Sequence, residues 1–262
     1  MAGHFRDDAR DRHRNLEVVV LHERHVVDGR LEVESLYQPG EARLLLGGDF
    51  YDAVSLDDGA LAVVVGDVSG HGPDAAALGA RLRAAWRALT LRHGESSEVV
   101  AILDQLLRHE APEDEMFATI AFVVISPDHR FADVTLAGHP APLLLEPGHA
   151  RSLDLQPHPP LGMVKAPSSP TRVDLPDNWS LLLYTDGVIE GRALPGSPIR
   201  YGVERLVEDA AQVFAGRIEG GLEQLLRNAE KANGGPLSDD VALLSVSSTG
   251  TRSAGTTPPP TS

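Results

Sequence analysis

Four short segments place aspartate where an apolar run meets a glycine-containing turn. They are GGDFYDAV with Asp49 and Asp52, VVGDVSGHG with Asp67, LLLYTDGVIEGR with Asp186, and SDDVALLSV with Asp239 and Asp240. Aspartate favours turns for its own sake. Its recurrence beside glycine on four apolar segments points to a shared task. Carboxylates gathered at one place repel, and some take up protons unless a cation is present. A divalent cation removes that conflict and becomes the largest local charge. Oxygen donors suit Mg2+ or Mn2+. Two such ions about 3.5–4 Å apart can clamp a phosphoryl oxygen and ionise a water between them. A phosphate-binding loop would instead carry lysine after its glycines, and the turn after Asp67 has none.

The whole chain sets limits on the chemistry. It has 262 residues and a formal net charge of −15, from 38 acidic against 23 basic residues. That balance argues against nucleic acid or an anionic membrane as partner, since both need a basic face. There is no cysteine, which excludes disulfides, thiolate metal sites and cysteine nucleophiles. No apolar run reaches the length of a membrane span. The N-terminus, MAGHFRDDARDRHRN, is charged throughout and lacks the apolar core of a secretory signal. A cytoplasmic location is the expectation.

The elements that must position the aspartates read as an α+β domain. Strands are expected over 59–67, 118–126, 131–138, 141–148, 179–187 and 240–247, each rich in Val, Ile, Leu or Thr. VTLAGHPAPLLLE reads as a hairpin bending at Gly138 to Pro140. Leu78, Leu82, Trp86 and Leu89 recur at helical spacing after Pro73, a good first-turn residue. So do Val99, Leu103 and Leu106, then Val203, Leu206, Val207, Ala210 and Phe214, then Leu222, Leu225, Leu226 and Ala229. Helices cluster between runs of strands rather than following each one, so antiparallel sheets with helices packed outside are expected. Residues 1–15 read as a polar arm, 16–247 as the folded domain, and 248–262, STGTRSAGTTPPPTS, as a disordered tail. The Pro- and Gly-containing stretch 191–206 is a candidate flap.

With GGDFYDAV, VVGDVSGHGPDAA, FATIAFVVISP, LAGHPAPLLL, LLLYTDGVIEGR and SDDVALLSV in this order over residues 30–247, the chain resembles the SpoIIE-like (RsbU-like) serine phosphatases. These are a bacterial branch of the metal-dependent type 2C (PPM) protein phosphatases. The resemblance implies a four-layer α/β/β/α sandwich of two antiparallel sheets flanked by helices. It implies hydrolysis of phosphoserine or phosphothreonine by a metal-activated water, with two Mn2+ or Mg2+ ions and no covalent intermediate. Asp67 and Asp186 are then the expected catalytic residues. Asp67 would bridge both ions, the carbonyl of Val68 would bind one, and Asp186 and Asp239 would hold the second. Either Asp49 or Asp52 serves from the first segment, and Asp240 either supports Asp239 or replaces it. The implied substrate is a phosphorylated STAS-domain anti-anti-sigma factor in a partner-switching pathway.

Two departures stand out. Type 2C enzymes of eukaryotes have a histidine, the proposed general acid, two residues after the bridging aspartate, where this chain has Ser69. Their phosphate-binding arginine has no clear counterpart, since Arg43 does not align with it. His71 and His139 are polar candidates beside turn motifs. About 30 residues precede the catalytic region, too few for a sensor domain, so a regulatory protein or homodimerisation is expected to control it. Two other functions use the same residues: a non-catalytic pseudophosphatase that only binds, and a metal-dependent hydrolase of small phosphate esters. The four intact aspartate segments weigh against the first. The lack of an adenine-binding motif or basic phosphate loop weighs against the second.

Overall fold

The computed structural model describes residues 21–27, 30–40, 47–93, 96–111, 116–164, 169–215 and 220–248. The expected polar arm over 1–15, the tail beyond Ser248 and Arg43 lie outside them. Eleven strands form two sheets. The first sheet contains β1 (Leu21–Val27), β2 (Leu31–Gln38), β7 (Leu143–Glu146), β8 (His149–Ser152), β10 (Ser180–Tyr184) and β11 (Val241–Ser248), in the order β1-β2-β11-β10-β7-β8. The second contains β3 (Phe50–Ser55), β4 (Leu61–Val68), β5 (Ala118–Ile125), β6 (Phe131–Ala137) and β9 (Thr171–Asp174), in chain order. Every strand pair is antiparallel.

Helices cover the outer faces. Against the five-stranded sheet lie α1 (Pro73–His93) and α2 (Ser96–Glu110), and against the six-stranded sheet lie α4 (Gly202–Phe214) and α5 (Gly221–Asn233). A single turn, α3 (Gly187–Glu190), follows β10. The four layers are therefore α/β/β/α, the expected architecture.

The alternation of side chains along a strand explains the layering. In β4, Val63 and Val65 face the other sheet, while Ala62 and Val64 face α1 and α2. In β10, Leu181 and Leu183 point between the sheets, and Leu182 and Tyr184 meet α4 and α5. In β11, Ala242, Leu244 and Val246 point inward, and Val241 and Leu243 outward. Central strands buried on both faces read as unbroken apolar runs, a pattern commoner in parallel sheets.

The expected hairpin at Gly138–Pro140 does not form. β6 pairs with β5 and β9, whereas β7 pairs with β10 and β8 in the other sheet. The chain crosses between sheets here. Pro140 and Pro142 have no N–H to give to a ladder with β6, and the Gly138 N–H goes to the His158 carbonyl at 2.7 Å. The hairpin lies one strand later, where Pro147 and Gly148 (φ +74°) turn β7 into β8. The strand expected over 179–187 ends at Tyr184, because the Asp186 carbonyl accepts from the Ile189 and Glu190 N–H groups and opens α3. Ser248, assigned from sequence to the tail, completes β11. Within the candidate flap, 191–201 is a turn-rich excursion closed by an Arg192–Arg200 bridge, and Gly202 to Leu206 already belong to α4.

The helix-facing core of the five-stranded sheet centres on Trp86 and Phe122, both fully buried, in edge-to-face contact with centroids 5.4 Å apart. Truncating Phe122 to alanine leaves a cavity that close packing cannot refill. Phe122→Ala is expected to lower unfolding free energy by about 3–5 kcal/mol, measured by urea denaturation, with Phe122→Leu losing markedly less.

Candidate metal centre

The same alternation that builds the core delivers the carboxylates. Counting by twos from Val63 and Val65 brings Asp67 to the inter-sheet face of β4. Phe50 pairs with Gly66, so Asp49, one residue before β3, comes opposite Asp67. Counting back from Ala242 puts Asp240 on the same face of β11. Asp186 lies two residues past β10 at the same end of the sandwich. Asp52 has the opposite parity from Asp49 and shares the helix-facing side with Phe50 and Val54. There it accepts two hydrogen bonds from the Arg87 guanidinium of α1, one from Nε at 2.8 Å, and another from the Ala53 N–H. The structure thus gathers Asp49, Asp67, Asp186, Asp239 and Asp240, and places Asp52 elsewhere, as an anchor between β3 and α1.

The gathered carboxylates feel one another. The Asp49 carboxyl titrates well above the ordinary aspartate range because it is buried and because Asp67 is beside it. Burial, then the charge of Asp186, push Asp67 up to about 6, while a hydrogen bond from Asp49 pulls the other way. Asp186 is raised by burial, then by Glu190 and Asp239. Asp240 is raised by burial, and Asp239 adds to it. Among the described residues, no three His, Asp or Glu side chains stand in a closed metal-holding set.

Neutral partners fix several of these groups from behind. The Thr185 hydroxyl donates to Asp49 Oδ2 at 2.7 Å and accepts from the Ala242 N–H at 2.9 Å. Asp240 Oδ1 accepts the Gly40 N–H at 2.9 Å, and Asp240 also accepts from the Tyr37 hydroxyl. Asp239 is exposed, and its Oδ1 accepts the N–H of Asp240 at 2.9 Å. Asp186 opens α3 through its backbone and makes no side-chain cap, which leaves its carboxylate available.

Gly47 and Gly48 are required by close approach. A Cβ on Gly47 would lie 1.6 Å from Asp240 Oδ2, and one on Gly48 would lie 2.3 Å from the Val68 carbonyl oxygen. That carbonyl and the surrounding carboxylates form an all-oxygen donor set. Mn2+ or Mg2+ fits such a set.

The polar residues near the turns have defined places. Ser69 is tied to Phe117: its Oγ accepts the Phe117 N–H at 3.0 Å and its N–H goes to the Phe117 carbonyl at 2.9 Å. His71 is exposed. His139 is buried, and that burial lowers its pKa to about 4, so it is neutral. Tyr37, Thr185 and the supporting role of Gly40 were missed in the sequence. The threonine beside Asp186 and the inward parity of Tyr37 were the available signals.

The comparisons with known proteins agree with this geometry. Residues 57–249 match the family model described as Stage II sporulation protein E (SpoIIE). The chain is 25% identical over 172 residues to phosphoserine phosphatase RsbP of Bacillus subtilis (strain 168), covering 64% of this chain and 42% of that protein. It is 26% identical over 219 residues to protein IcfG of Synechocystis sp., covering 72% and 33% respectively. The chain thus spans less than half the length of these two relatives. Among solved structures, it resembles the RsbU and RsbW domains of a Mycobacterium tuberculosis protein with TM-score 0.71 and 28% identity, covering 84% of this chain and 60% of that one. The SiaA-PP2C domain of Pseudomonas aeruginosa shares the fold with TM-score 0.70 at 21% identity, covering 81% and 84%.

Electrostatic conflict at Asp67 has a measurable sign. A carboxylate whose folded pKa is raised contributes stability below its unfolded pKa and loses it as pH rises through the folded value. Without metal, Asp67→Asn is therefore expected to be more stable than wild type at pH 7.5, by about 1–3 kcal/mol. The gap should close as pH falls from about 6 to below about 4. Mn2+ should stabilise wild type and not the variant, as read by urea denaturation with and without the ion.

Proposed function

Because the chain belongs to the Stage II sporulation protein E (SpoIIE) family of type 2C serine phosphatases, we propose that it hydrolyses phosphoserine or phosphothreonine in a protein, using Mn2+ or Mg2+. The observation that carries this reading is the meeting of Asp49 and Asp67 from one sheet with Asp186, Asp239 and Asp240 from the other, close enough that neighbouring charge raises the pKa of Asp49, Asp67, Asp186 and Asp240. In our assignment Asp67 would serve both ions, Asp49 and the Val68 carbonyl would help to hold one, and Asp186 and Asp239 would help to hold the other. Asp240, held by Gly40 and Tyr37, supports Asp239. When bound, such ions neutralise phosphoryl oxygens and make a water nucleophilic near neutral pH.

The chain's own groups set the rest of the chemistry. The bond from phosphorus to the serine oxygen breaks as a bond from phosphorus to the water oxygen forms, giving the free hydroxyl and inorganic phosphate. Asp67 and Asp186 orient the reacting groups. Ser69 is held by the Phe117 backbone and is far too weak an acid to protonate the leaving oxygen. Thr185 holds the Asp49 carboxyl in place through Oδ2.

For the substrate we propose a phosphorylated STAS-domain anti-anti-sigma factor in a partner-switching pathway. The likeness to RsbP and to a structure that joins RsbU and RsbW domains supports this choice.

Incubating the protein with phosphorylated STAS-domain proteins and Mn2+ is expected to remove about 80 Da per phosphate, a figure fixed by the loss of HPO3, as read by mass spectrometry. Asp67→Asn and Asp186→Asn should each slow this at least about a hundredfold, and EDTA should stop it. Activity that survives EDTA or Asp67→Asn would overturn the metal reading. Binding of the phosphoprotein without hydrolysis would indicate the pseudophosphatase. Equal or faster hydrolysis of p-nitrophenyl phosphate with none of the phosphoprotein would indicate a small-ester hydrolase.

A further inference from the structure

The proposed centre takes ligands from two separate sheets, so it needs a fixed distance between them. Most of the interface between the sheets is apolar, built from residues such as Val63, Val65, Ala121, Leu181, Leu183 and Leu244. Such contacts are strong but non-directional and set spacing only through packing. At the carboxylate end, directional links take over. One is the hydrogen bond from Thr185 to Asp49. Another is His139.

His139 lies in the segment that carries the chain from one sheet to the other, between β6 and β7, and is 3% exposed. Its Nδ1 is 2.8 Å from Thr119 Oγ1 and its Nε2 is 3.1 Å from the Tyr184 carbonyl oxygen. A carbonyl can only accept, so Nε2 carries the hydrogen and donates it. Nδ1 then accepts from the Thr119 hydroxyl. Thr119 sits directly opposite Asp67 in the β4–β5 ladder. Tyr184 ends β10, one residue before Thr185 and two before Asp186. A single imidazole thus spans the partner of Asp67 in one sheet and the strand leading to Asp186 in the other. Neither of these hydrogen bonds goes to one of the five carboxylates.

We propose that His139 is a positioning residue that sets the separation of the two halves of the metal centre, by clasping Thr119 of one sheet to the Tyr184 backbone of the other. The reading rests on the metal-dependent function proposed above. A buried imidazole hydrogen-bonded at both ends can also be no more than a core residue that contributes stability. The difference lies in metal affinity. A residue that only stabilises the fold leaves the affinity of the folded protein unchanged. A residue that sets ligand spacing changes it.

The test is calorimetric titration of the metal-free, full-length protein with Mn2+, at a temperature where circular dichroism shows every variant folded. His139→Ala is expected to weaken Mn2+ binding at least tenfold. His139→Gln, whose amide can replace the donor to the Tyr184 carbonyl, should recover most of that loss. His139→Asn, too short to reach Tyr184, should not. Thr119→Val, close to isosteric, should weaken binding about threefold and provides the same test if His139→Ala does not fold. Wild-type binding with unchanged affinity in the folded variants would overturn the clasp and leave the proposed function standing. No Mn2+ binding by wild type would overturn both.

Discussion

The structure depends on one rule of side-chain parity and on the point where its chemistry changes. Along β4, β10 and β11 every second residue faces the space between the sheets, and these residues are Val, Leu and Ala for most of the length. At one end the same positions become Asp67, Thr185 and Asp240. The apolar layer binds the sheets together, and the force that closes it also presses like charges into shared, partly buried space. The pKa values of Asp49 and Asp67 rise in response, through burial first and neighbouring charge second. Binding strength and electrostatic strain are products of the same packing, separated by only one or two residues along each strand.

Much of this was legible in the sequence, and the reasons differ by element. The four long helices were readable because each shows one apolar stripe to a single layer. Four of the strands seen, β4, β5, β10 and β11, were readable because burial on both faces makes them continuous apolar runs. β8 and β9 were not, being four residues each, HARS and TRVD, with little apolar content. β2 alternates, as LEVESLYQ, and the parity of Tyr37 was there to be counted. The crossing at Gly138–Pro142 resembled a turn because glycine and proline mark both. What distinguishes a hairpin from a passage between sheets is the partner of each strand, and local composition does not carry that.

The choice between Asp49 and Asp52 shows what composition alone leaves open. Both lie in GGDFYD, and both are acidic beside an apolar step. Three positions apart on a strand means opposite faces, so one of them had to point towards the helices. Only the assignment of faces through Val54 and Phe50 shows that Asp52 is the one that meets Arg87. Asp239 and Asp240 differ in a similar way: the second is tied to Gly40 and Tyr37, while the first is exposed and held only by the N–H of its neighbour.

Strands with no solvent face leave little room for variation. A polar replacement in the middle of β4 would lie in dry packing whichever way it pointed. New recognition properties therefore have to be acquired where backbone meets water, in the excursion from Gly191 to Tyr201 and on the outward sides of the helices. The same frame can then take on different surface contacts while its carboxylate-bearing strand ends stay as they are, so differences in recognition should be sought at the rim rather than beneath it.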